Sequence, residues 1–458
     1  MQEIHYAAAR GDLETVQEEL NNGVDPNYIE PPEADSSIPE YSPLMYAAQD
    51  PRAGCDMLGL LLGHGADLHL EFKSNTALRS AIRGGQLEKV KFLVNKGADI
   101  HYVTKDGVNA WLDAIDWRSE SIEEIIDWLL EIQCSNINQI SKGGGDVCSA
   151  LSSLGEFGII KKVVDAGACR EPLKWTDLMW EIVYGTVESV RKALPGADLR
   201  IGDSCGRDAW MLSGLVGSIE KSAALLEFGA ERLTMDRKGH DILHLAVRAN
   251  HSKFVTWLLD IGMDFNHGNY IGKTALMEAA SYGSIDSMKA LLDYGADPSV
   301  EDRTWERAIS YASNLECVKL LVERGEDMEF NPSGGHHLLE SATLNNDIQF
   351  ISDLLKAGIN PDLNHNSETT LHMAIFGDKL EIAKLLLDAG ANPNQEDYDG
   401  ERPFHHCESR KAIDLLLEYG ADPNCECWGG DTPDMKYERF ERPDLAKYFR
   451  RIRDGVNC

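Results

Sequence analysis

The sequence predicts an all-α solenoid in which helix-turn-helix units stack on one another and are joined by short finger hairpins or loops. Three features of the 458 residues support this fold class. A helix-like segment that ends in a Gly-Ala-Asp type of stop recurs along the chain, a second short phrase recurs ahead of that stop, and each unit holds two short stretches of helical apolar periodicity. One such unit cannot bury both of its faces alone, so neighbouring units must stack.

The recurring stop is typical of a helix C-terminus. In residues 380–394, LEIAKLLLDAGANPN, six apolar side chains form one broad face and Gly390 follows them. Glycine suits a left-handed C-cap because it has no Cβ, and the Asn392-Pro393 pair then ends the helix and opens an extended turn. Most intervals between stop glycines are 29 to 33 residues, and these glycines are Gly23, Gly65, Gly97, Gly167, Gly196, Gly229, Gly262, Gly295, Gly325, Gly358, Gly390 and Gly420.

The second phrase indicates which repeat this is. It reads NTALRSAIRGG in 75–85, HDILHLAVRAN in 240–250, KTALMEAASYG in 273–283 and TTLHMAIFGDK in 369–379. These segments resemble the T-P-L-H-x-A signature of the ankyrin-repeat family, whose period is 33 residues. The resemblance covers residues 1–434 in about 13 units. Histidines at the signature position, which are expected to cap helices and to hydrogen-bond between repeats, are His5, His244, His372 and His405.

Three segments depart from the pattern. Residues 28–41 form an acidic, proline-rich loop insertion that is expected to protrude. Residues 103–210 are a degenerate stretch with an eroded signature, where the stacking is expected to be weakest or to divide into two sub-arrays. Within it, Trp111 and Trp210 occupy the signature Leu position and are expected to be buried. Residues 435–458 are expected to form a capping helix and tail, because a solenoid needs a polar outer face at its end.

The net charge of −32 limits the classes of partner. An acidic surface repels phosphate groups, so neither direct nucleic-acid binding nor attraction to an anionic membrane is expected. A basic protein partner would be attracted at low salt, although an acidic surface also keeps a long, open molecule soluble. The apolar runs are too short to span a bilayer, the N-terminus lacks a signal-peptide pattern, and the ten cysteines form no disulfide framework. These features predict a cytoplasmic protein that is a monomer when alone.

The sequence carries no recognisable catalytic motif. The patterns GxxxxGK[ST], HExxH and Cys-x-x-Cys do not occur. The one match to GxSxG, residues 202–206, stands at a finger position ahead of a signature and not between a strand and a helix, so neither an enzyme nor a cofactor is expected. One cluster of metal-ligand types occurs, His405-His406-Cys407 together with Cys425-x-Cys427. Its Cys-x-Cys spacing is unfavourable for a structural zinc site, and His405 already belongs to the signature, so no metal site is expected.

The resemblance to the ankyrin family implies which positions face a partner. In that family a concave face is lined by the finger residues ahead of the signature and by the two residues before the glycine that separates the helices. The implied finger positions are Phe72, Lys73, Lys105, Asp106, Arg237, Lys238, Tyr270, Ile271 and Tyr398, and the implied first-helix positions are Trp117, Arg248, Ser281, Tyr282 and Phe376. Because Trp, Tyr and Arg are enriched in binding hot spots, the strongest candidates are Trp117, Arg237, Arg248, Tyr270 and Tyr282.

These features predict a protein–protein interaction module, and three roles remain open. An inhibitor, or a toxin-neutralising immunity-type protein, would bind one partner through the concave face and abolish its activity. An adaptor or scaffold would bridge two proteins, with the loop 28–41 or the C-terminal helix as the second contact. An acidic mimic of nucleic acid would occupy a nuclease or DNA-binding cleft, and its affinity would fall steeply with salt. The acidic, freestanding array favours the inhibitor.

Overall fold

A computed structural model describes residues 3–29, 41–115, 122–327, 338–365, 368–440 and 442–454. The chain divides into two compact units. Unit 1 comprises residues 1–177 and 202–205, and unit 2 comprises residues 178–201 and 206–458. The boundary lies within the stretch 103–210.

Unit 1 is built from consecutive pairs of short helices, in which each first helix packs on the first helix of the next pair. Its helices are α1 (Glu3–Arg10), α2 (Leu13–Asn21), α3 (Pro43–Gln49), α4 (Cys55–Gly63), α5 (Ala77–Arg83), α6 (Leu87–Asn95), α7 (Ala110–Ile115), α8 (Ile122–Glu131), α9 (Val147–Leu154), α10 (Phe157–Asp165) and the 3₁₀ helix η1 (Glu171–Leu173).

Unit 2 has the same pattern of helix pairs. Its helices are α11 (Asp177–Tyr184, which begins at the unit boundary), α12 (Val187–Ala193), α13 (Ala209–Val216), α14 (Ile219–Glu227), α15 (Ile242–Arg248), α16 (Ser252–Asp260), α17 (Ala275–Ser281), α18 (Ile285–Asp293), η2 (Ala308–Tyr311), α19 (Leu315–Glu323), α20 (Leu338–Leu344), α21 (Ile348–Lys356), α22 (Thr370–Phe376), α23 (Leu380–Asp388), η3 (Pro403–His406), α24 (Arg410–Glu418), α25 (Pro433–Arg439) and α26 (Pro443–Arg453). Strands β1 (Asn364–His365) and β2 (Glu368–Thr369) form an antiparallel ladder at one finger.

Each helix buries one apolar stripe between its neighbours. In α18, Met288, Leu291 and Leu292 are buried, while Asp286 and Lys289 on the opposite side are exposed. This helix packs on α16, α17 and α19. Burying one such side chain contributes about 1.5–3 kcal/mol. The stacked all-α architecture that the sequence predicts is thereby confirmed. None of the helices in the described ranges is both long and apolar enough to cross a bilayer.

The stop glycines adopt the left-handed conformation that the sequence predicts. Gly229, for example, follows α14 with a φ of 90°. A Cβ placed on it would meet nothing within 4 Å, so the requirement for glycine there is conformational rather than steric. All twelve stop glycines named above have positive φ.

The signature histidines contact the carbonyl oxygen of a later repeat. His244 Nδ1 lies 2.7 Å from Oδ1 of the N-cap residue Asp241, and its Nε2 lies 3.0 Å from the carbonyl oxygen of Lys273 in the next repeat. Equivalent contacts to a later carbonyl oxygen join His5 to Tyr28, His372 to Glu401 and His405 to Asp431. The predicted inter-repeat role is confirmed for all four histidines, and the predicted capping contact is confirmed for His244, His372 and His405.

Two repeats of the degenerate stretch have Leu112 and Met211 at the histidine position and carry a tryptophan at the preceding Leu position. Trp111 and Trp210 are each 1% exposed, as the sequence predicts. Their indole Nε1–H groups donate to the carbonyl oxygens of Ser135 at 3.1 Å and Arg232 at 3.3 Å. An indole N–H therefore takes over the inter-repeat hydrogen bond where the histidine is missing.

The C-terminal cap differs from the single helix that the sequence suggests. Residues 433–453 form two helices, α25 and α26, because Pro443 cannot continue a preceding helix and starts a new one. Phe449 of α26 is fully buried, with its ring 5.2 Å from that of Phe404 and 5.9 Å from that of Tyr437. The cap is thus one more helix pair, packed on η3.

Candidate protein-binding surface

The fingers of unit 2 are hydrogen-bonded loops whose first side chain sets their conformation. In the finger 236–240, Asp236 Oδ1 accepts from the backbone N–H groups of Lys238 at 2.8 Å and His240 at 2.9 Å. The same pair of bonds is accepted by Asn269, Asp302 and Asp397 in the fingers 269–273, 302–306 and 397–401. In these four fingers the second and third residues are exposed.

Backbone hydrogen bonds join successive fingers. Tyr270 N–H donates to the carbonyl oxygen of Lys238 at 3.1 Å, and Arg303 N–H donates to that of Ile271 at 2.9 Å. The finger 427–431 makes the equivalent bond, from Trp428 N–H to the carbonyl oxygen of Asp399, at 3.1 Å. The exposed side chains of neighbouring fingers are therefore held in a fixed register.

The second side chain of a finger also packs over the glycine of the finger before it. A Cβ on Gly239, whose φ is 81°, would lie 2.6 Å from Cδ1 of Tyr270. The ring of Trp428 covers Gly400 in the same way. Tyr270 is nevertheless 58% exposed and Trp428 74% exposed. One side of each ring is thus fixed by the fold, while the other remains available to a partner.

Trp305 breaks the glycine rule of the fingers. It stands at the fourth position, which is glycine in the other four fingers, and it has a φ of 65° with 59% exposure. A bulky residue rarely adopts a left-handed conformation, which costs on the order of 1–3 kcal/mol. Asp302 holds the loop in place: its Oδ1 accepts from Thr304 N at 2.7 Å and its Oδ2 accepts from Tyr311 Oη at 2.6 Å. The strain presents an indole ring to solvent.

The candidates that fall in unit 2 lie on the fingers or at the ends of first helices. Arg237, Lys238, Tyr270, Ile271 and Tyr398 are exposed finger residues. At the helix ends, the Arg248 guanidinium lies 5.0 Å from the ring centroid of Tyr282, so the structure brings these two candidates together. Ser281 is half-buried, and Phe376 is 63% exposed with its ring 6.4 Å from that of His406.

The remaining candidates belong to unit 1 and form a separate group. Lys73 is exposed at the tip of a two-residue turn beside the half-buried Phe72. Lys105 and Asp106 are exposed on the next finger, where Asp106 Oδ1 lies 3.0 Å from Nζ of Lys142. Trp117 and most of the loop 28–41 lie outside the described residues.

Two exposed aromatic residues were missed by the sequence reasoning, Trp305 and Trp428. Both are finger residues, and both are more exposed than Tyr282, at 41%. The signal was present for Trp305, since DRTWER in 302–307 aligns with DRKGHD in 236–241 and places Trp against Gly. Trp428 directly follows the Cys-x-Cys segment, and its finger lies ahead of a signature too weak to mark the position.

Charge is distributed unevenly over unit 2. Three of the exposed finger residues, Arg237, Lys238 and Arg303, are cationic. One exposed finger residue, Asp399, is anionic. Other carboxylates occupy the last turns of the second helices, where Asp293 Oδ1 lies 2.7 Å from Nη2 of Arg324, and where Asp260 accepts a hydrogen bond from Tyr294. The fingers are thus mixed aromatic and cationic surfaces on an acidic molecule.

A buried polar network supports the fingers. Burial alone would lower the pKa of His244, but the bond to Asp241 and that carboxylate's charge outweigh it and raise the pKa. Burial would likewise raise the pKa of Glu278, but the Lys273 ammonium, 3.1 Å away, lowers it. These charges are held in ion pairs beneath the surface. They position loops rather than face a substrate.

The cysteines offer no activated nucleophile among the described residues. All nine in those ranges are free thiols. Burial raises the pKa of Cys134 to about 11, of Cys148 to about 12 and of Cys425 to about 11. A buried, protonated thiol behaves as a small apolar side chain.

The chain is similar in sequence to a known family of repeat proteins. A family profile described as ankyrin repeats in three copies matches residues 4–104, 44–142, 178–269, 214–302, 265–332 and 338–427. These overlapping matches cover most of the chain.

Curated relatives are similar over parts of their length. The probable E3 ubiquitin-protein ligase XBOS32 of Oryza sativa subsp. japonica is 27% identical over 185 residues, which are 38% of this chain and 36% of the relative. The mitochondrial disaggregase of Bos taurus is 28% identical over 242 residues, 51% of this chain and 29% of the relative. The B-cell lymphoma 3 protein homolog of Mus musculus is 30% identical over 182 residues, 38% and 41% respectively. The chain spans less than half the length of these relatives.

Solved structures with the same repeats are also similar. The ankyrin repeat domain of human ASB11 covers 47% of this chain with a TM-score of 0.43 and 22% identity, over 100% of its own length. The ankyrin repeat domain of Bcl-3, a member of the IkappaB protein family, covers 53% with a TM-score of 0.39 and 23% identity, over 98% of its own length.

Proposed function

This chain belongs to the ankyrin-repeat family, a protein–protein interaction module, and we propose that it binds a basic protein partner and inhibits or sequesters it. In this proposal it is a non-catalytic, cytoplasmic inhibitor or toxin-neutralising immunity-type protein, monomeric when alone. The binding surface that we assign to unit 2 consists of the five fingers 236–240, 269–273, 302–306, 397–401 and 427–431, with the first-helix ends at Arg248, Tyr282 and Phe376.

The observation that carries the proposal is the row of exposed aromatic and apolar side chains on rigid fingers. Tyr270, Ile271, Trp305, Tyr398 and Trp428 are each between 51% and 74% exposed. A large aromatic side chain on a preorganised loop loses little conformational freedom on binding, which is why such residues serve as hot spots. Trp305 adds to this, because its strained backbone gives the fold no evident advantage.

Charge supports a basic partner through long-range attraction. The net charge of −32 would accelerate the approach of a cationic protein at low salt. The cationic fingertips Arg237, Lys238 and Arg303 would disfavour a uniformly basic contact patch, so the contact itself is expected to be aromatic. Association rates should therefore fall as salt rises, while dissociation rates change little.

The basic C-terminal cap supports a single binding face over an adaptor with a second contact there. Asp434 Oδ2 lies 2.6 Å from Nε of Arg450, and its Oδ1 lies 2.7 Å from Nη1 of Arg453. Asp431 pairs with Arg439 at 2.6 Å. These arginines are already neutralised within the cap, which fits a closing element better than a docking patch.

The test separates folding from binding with the variant Trp305→Gly. Because glycine adopts a positive φ without strain, this variant should be as stable as the wild type or more stable, with a gain in unfolding free energy of up to about 1 kcal/mol. The partner would first be captured from native lysate with the full chain at moderate salt. Its affinity for Trp305→Gly, measured by calorimetry, should then fall by at least about tenfold, as hot-spot removal does.

The matched control is Phe228→Ala. Phe228 is 49% exposed but lies at the C-cap of the second helix α14, away from the fingers. The affinity of the Phe228→Ala variant for the partner should equal that of the wild type. If Trp305→Gly and the wild type bind the partner with equal affinity, the fingers of unit 2 are not the binding surface.

Inhibition is tested on the partner's own activity. One equivalent of the chain should abolish that activity, and Trp305→Gly should restore it at the same concentration. Full activity in the complex, together with a second protein held at the same time, would instead identify an adaptor. Affinity lost steeply between low and moderate salt, with a nucleic-acid-binding partner, would identify an acidic mimic.

A further inference from the structure

A group of three potential metal ligands lies beneath the finger 397–401. It comprises one oxygen each of Asp397 and Glu401 and Nε2 of His406, and these three atoms lie within 4.8 Å of one another. It is the only such group of three or more His, Cys, Asp or Glu side chains in the described ranges. It shares only His406 with the Cys-containing set that the sequence suggests. Asp397 and Glu401 belong to the finger, and His406 belongs to the 3₁₀ helix η3, nine residues after Asp397.

The spacing of these atoms suits a small tetrahedral cation. His406 Nε2 lies 3.4 Å from Oδ2 of Asp397 and 3.2 Å from Oε2 of Glu401. Ligands about 2.0–2.1 Å from a tetrahedral zinc ion are separated by about 3.3–3.4 Å along each edge. The two nitrogen–oxygen distances are therefore close to those of a zinc site before any movement.

The histidine nitrogen is buried and makes no hydrogen bond. Nε2 of His406 has almost no accessible surface and no hydrogen-bond partner, although two carboxylate oxygens lie near it. A buried polar atom without a partner is costly. A cation placed between the three groups would satisfy this nitrogen and both carboxylates together.

Asp397 is already oriented as a ligand. Its Oδ1 accepts from the backbone N–H groups of Asp399 at 2.9 Å and Glu401 at 2.8 Å, which leaves Oδ2 directed at the group. Such outer contacts fix ligand orientation in known metal sites.

A lysine already contacts one of the three potential ligands. The ammonium group of Lys436, on α25, contacts Oε2 of Glu401. The Lys436 ammonium group neutralises part of the charge of the Glu401 carboxylate. A divalent cation would compete with it for Glu401 and release it.

We propose that Asp397, Glu401 and His406 form a site for a divalent cation, and that Zn²⁺ is its ligand. The three side chains supply one nitrogen and two oxygens, and a water molecule would complete the tetrahedron, as in zinc sites with three protein ligands. Binding would clamp the finger 397–401 to η3. The site lies under one of the five fingers of the proposed binding surface, and its affinity for Zn²⁺ can be measured without a partner.

The test uses the full chain, treated with a chelator and dialysed, then titrated with Zn²⁺ by calorimetry. One equivalent should bind, and it should raise the melting temperature as ligand binding to the native state does. His406→Gln and Asp397→Asn should each weaken binding by at least about tenfold. Lys436→Gln should strengthen binding, since it removes the competing cation, an effect that a merely structural role for Lys436 would not produce.

Two controls distinguish this site from other histidines and cysteines. His69→Gln removes an exposed histidine elsewhere and should leave the affinity unchanged. Titration with Co²⁺ should give visible bands of nitrogen and oxygen ligation without thiolate charge-transfer absorption. Absence of binding to the wild type, or affinity unchanged in His406→Gln while the variant remains folded, would overturn the proposal.

Discussion

In unit 1 the first helices α5 and α7 are joined by a buried ion cluster, whereas in unit 2 the first helix α15 is joined to the next repeat by a histidine. Asp113 has no exposed side-chain surface and lies 2.5 Å from Nε of Arg79 and 2.9 Å from Nε of Arg83. His244 is 1% exposed and bridges the Asp241 carboxylate and the Lys273 carbonyl oxygen. Both arrangements connect one repeat to the next.

The difference shows that the repeat specifies where a polar link is needed, but not its chemistry. An arginine–carboxylate cluster keeps its charge over the whole physiological pH range. A histidine changes charge near neutral pH. Unit 1 and unit 2 should therefore respond differently to loss of one partner and to pH.

The largest effect is expected for Asp113→Ala in unit 1. Removal of the carboxylate leaves two guanidinium groups facing each other in a buried site, which should cost about 3–5 kcal/mol of unfolding free energy. Denaturant unfolding would show the loss, and hydrogen exchange would place it in the peptides of α5 and α7.

Asp106→Ala is the matched control on the surface of the same unit. Its ion pair with Lys142 is well exposed, with the Asp106 side chain 65% accessible, so its removal should cost less than about 1 kcal/mol. Similar losses for both variants would show that burial does not distinguish these ion pairs.

The second prediction concerns the fingers of unit 2. Gly239→Ala should cost about 2–4 kcal/mol, because a Cβ at a left-handed position is strained and would also displace Tyr270. Gly229→Ala has the same backbone strain but open space around the Cβ, and should cost about 1–2 kcal/mol. Equal thermal-unfolding losses for the two would contradict the packing of Tyr270 on Gly239.

The third prediction is a pH dependence of the contribution that His244 makes to the stability of unit 2. The pKa of His244 is raised, chiefly by Asp241 against the opposing effect of burial. Its contribution is therefore fully present below the unfolded pKa of about 6.5 and is lost as pH rises through the folded pKa. His244→Ala should cost about 1–3 kcal/mol at pH 6 and less at pH 9.

The readout is the unfolding free energy of wild type and His244→Ala at both pH values, with the exposed His69→Ala as control. A cost of His244→Ala that is the same at pH 6 and pH 9 would show that the histidine is neutral in the folded chain. The cost of Asp113→Ala should not vary between these two values.

The smallest effect is a difference within the wild type. The helices α7 to α10 lie in the stretch whose signature is eroded, whereas α15 to α18 keep it. Solenoid stability is roughly a sum over neighbouring units, so amides of α7 to α10 should exchange about tenfold faster. Uniform protection across both sets would contradict this expectation.

Much of the fold was predictable because its determinants are local. The stop positions have a positive φ at which most other residues are strained, so a recurring glycine identifies them. The signature histidines lie close in sequence to the helix starts that they contact. The burial of Trp111 and Trp210 followed from their place in the repeat. The single C-terminal helix was wrong because Pro443 cannot continue a preceding helix and starts a second one.

The candidate surface was predictable only in part. Tyr270 and Tyr398 lie on fingers because the resemblance assigns positions along the repeat. Trp305 was missed although its alignment with the finger glycine places it on a finger, and Trp428 was missed because its packing over Gly400 joins residues of different repeats.

The sequence by itself determined the repeat, its period, its helix ends and the positions of its fingers, because each depends on residues close together in the chain. Tertiary structure alone decided that Asp113 meets Arg79 and Arg83, that Arg248 meets Tyr282, and that Asp397, Glu401 and His406 converge on one point. Most of these contacts join residues about one repeat apart, and side-chain direction across a repeat interface depends on packing rather than on local propensity.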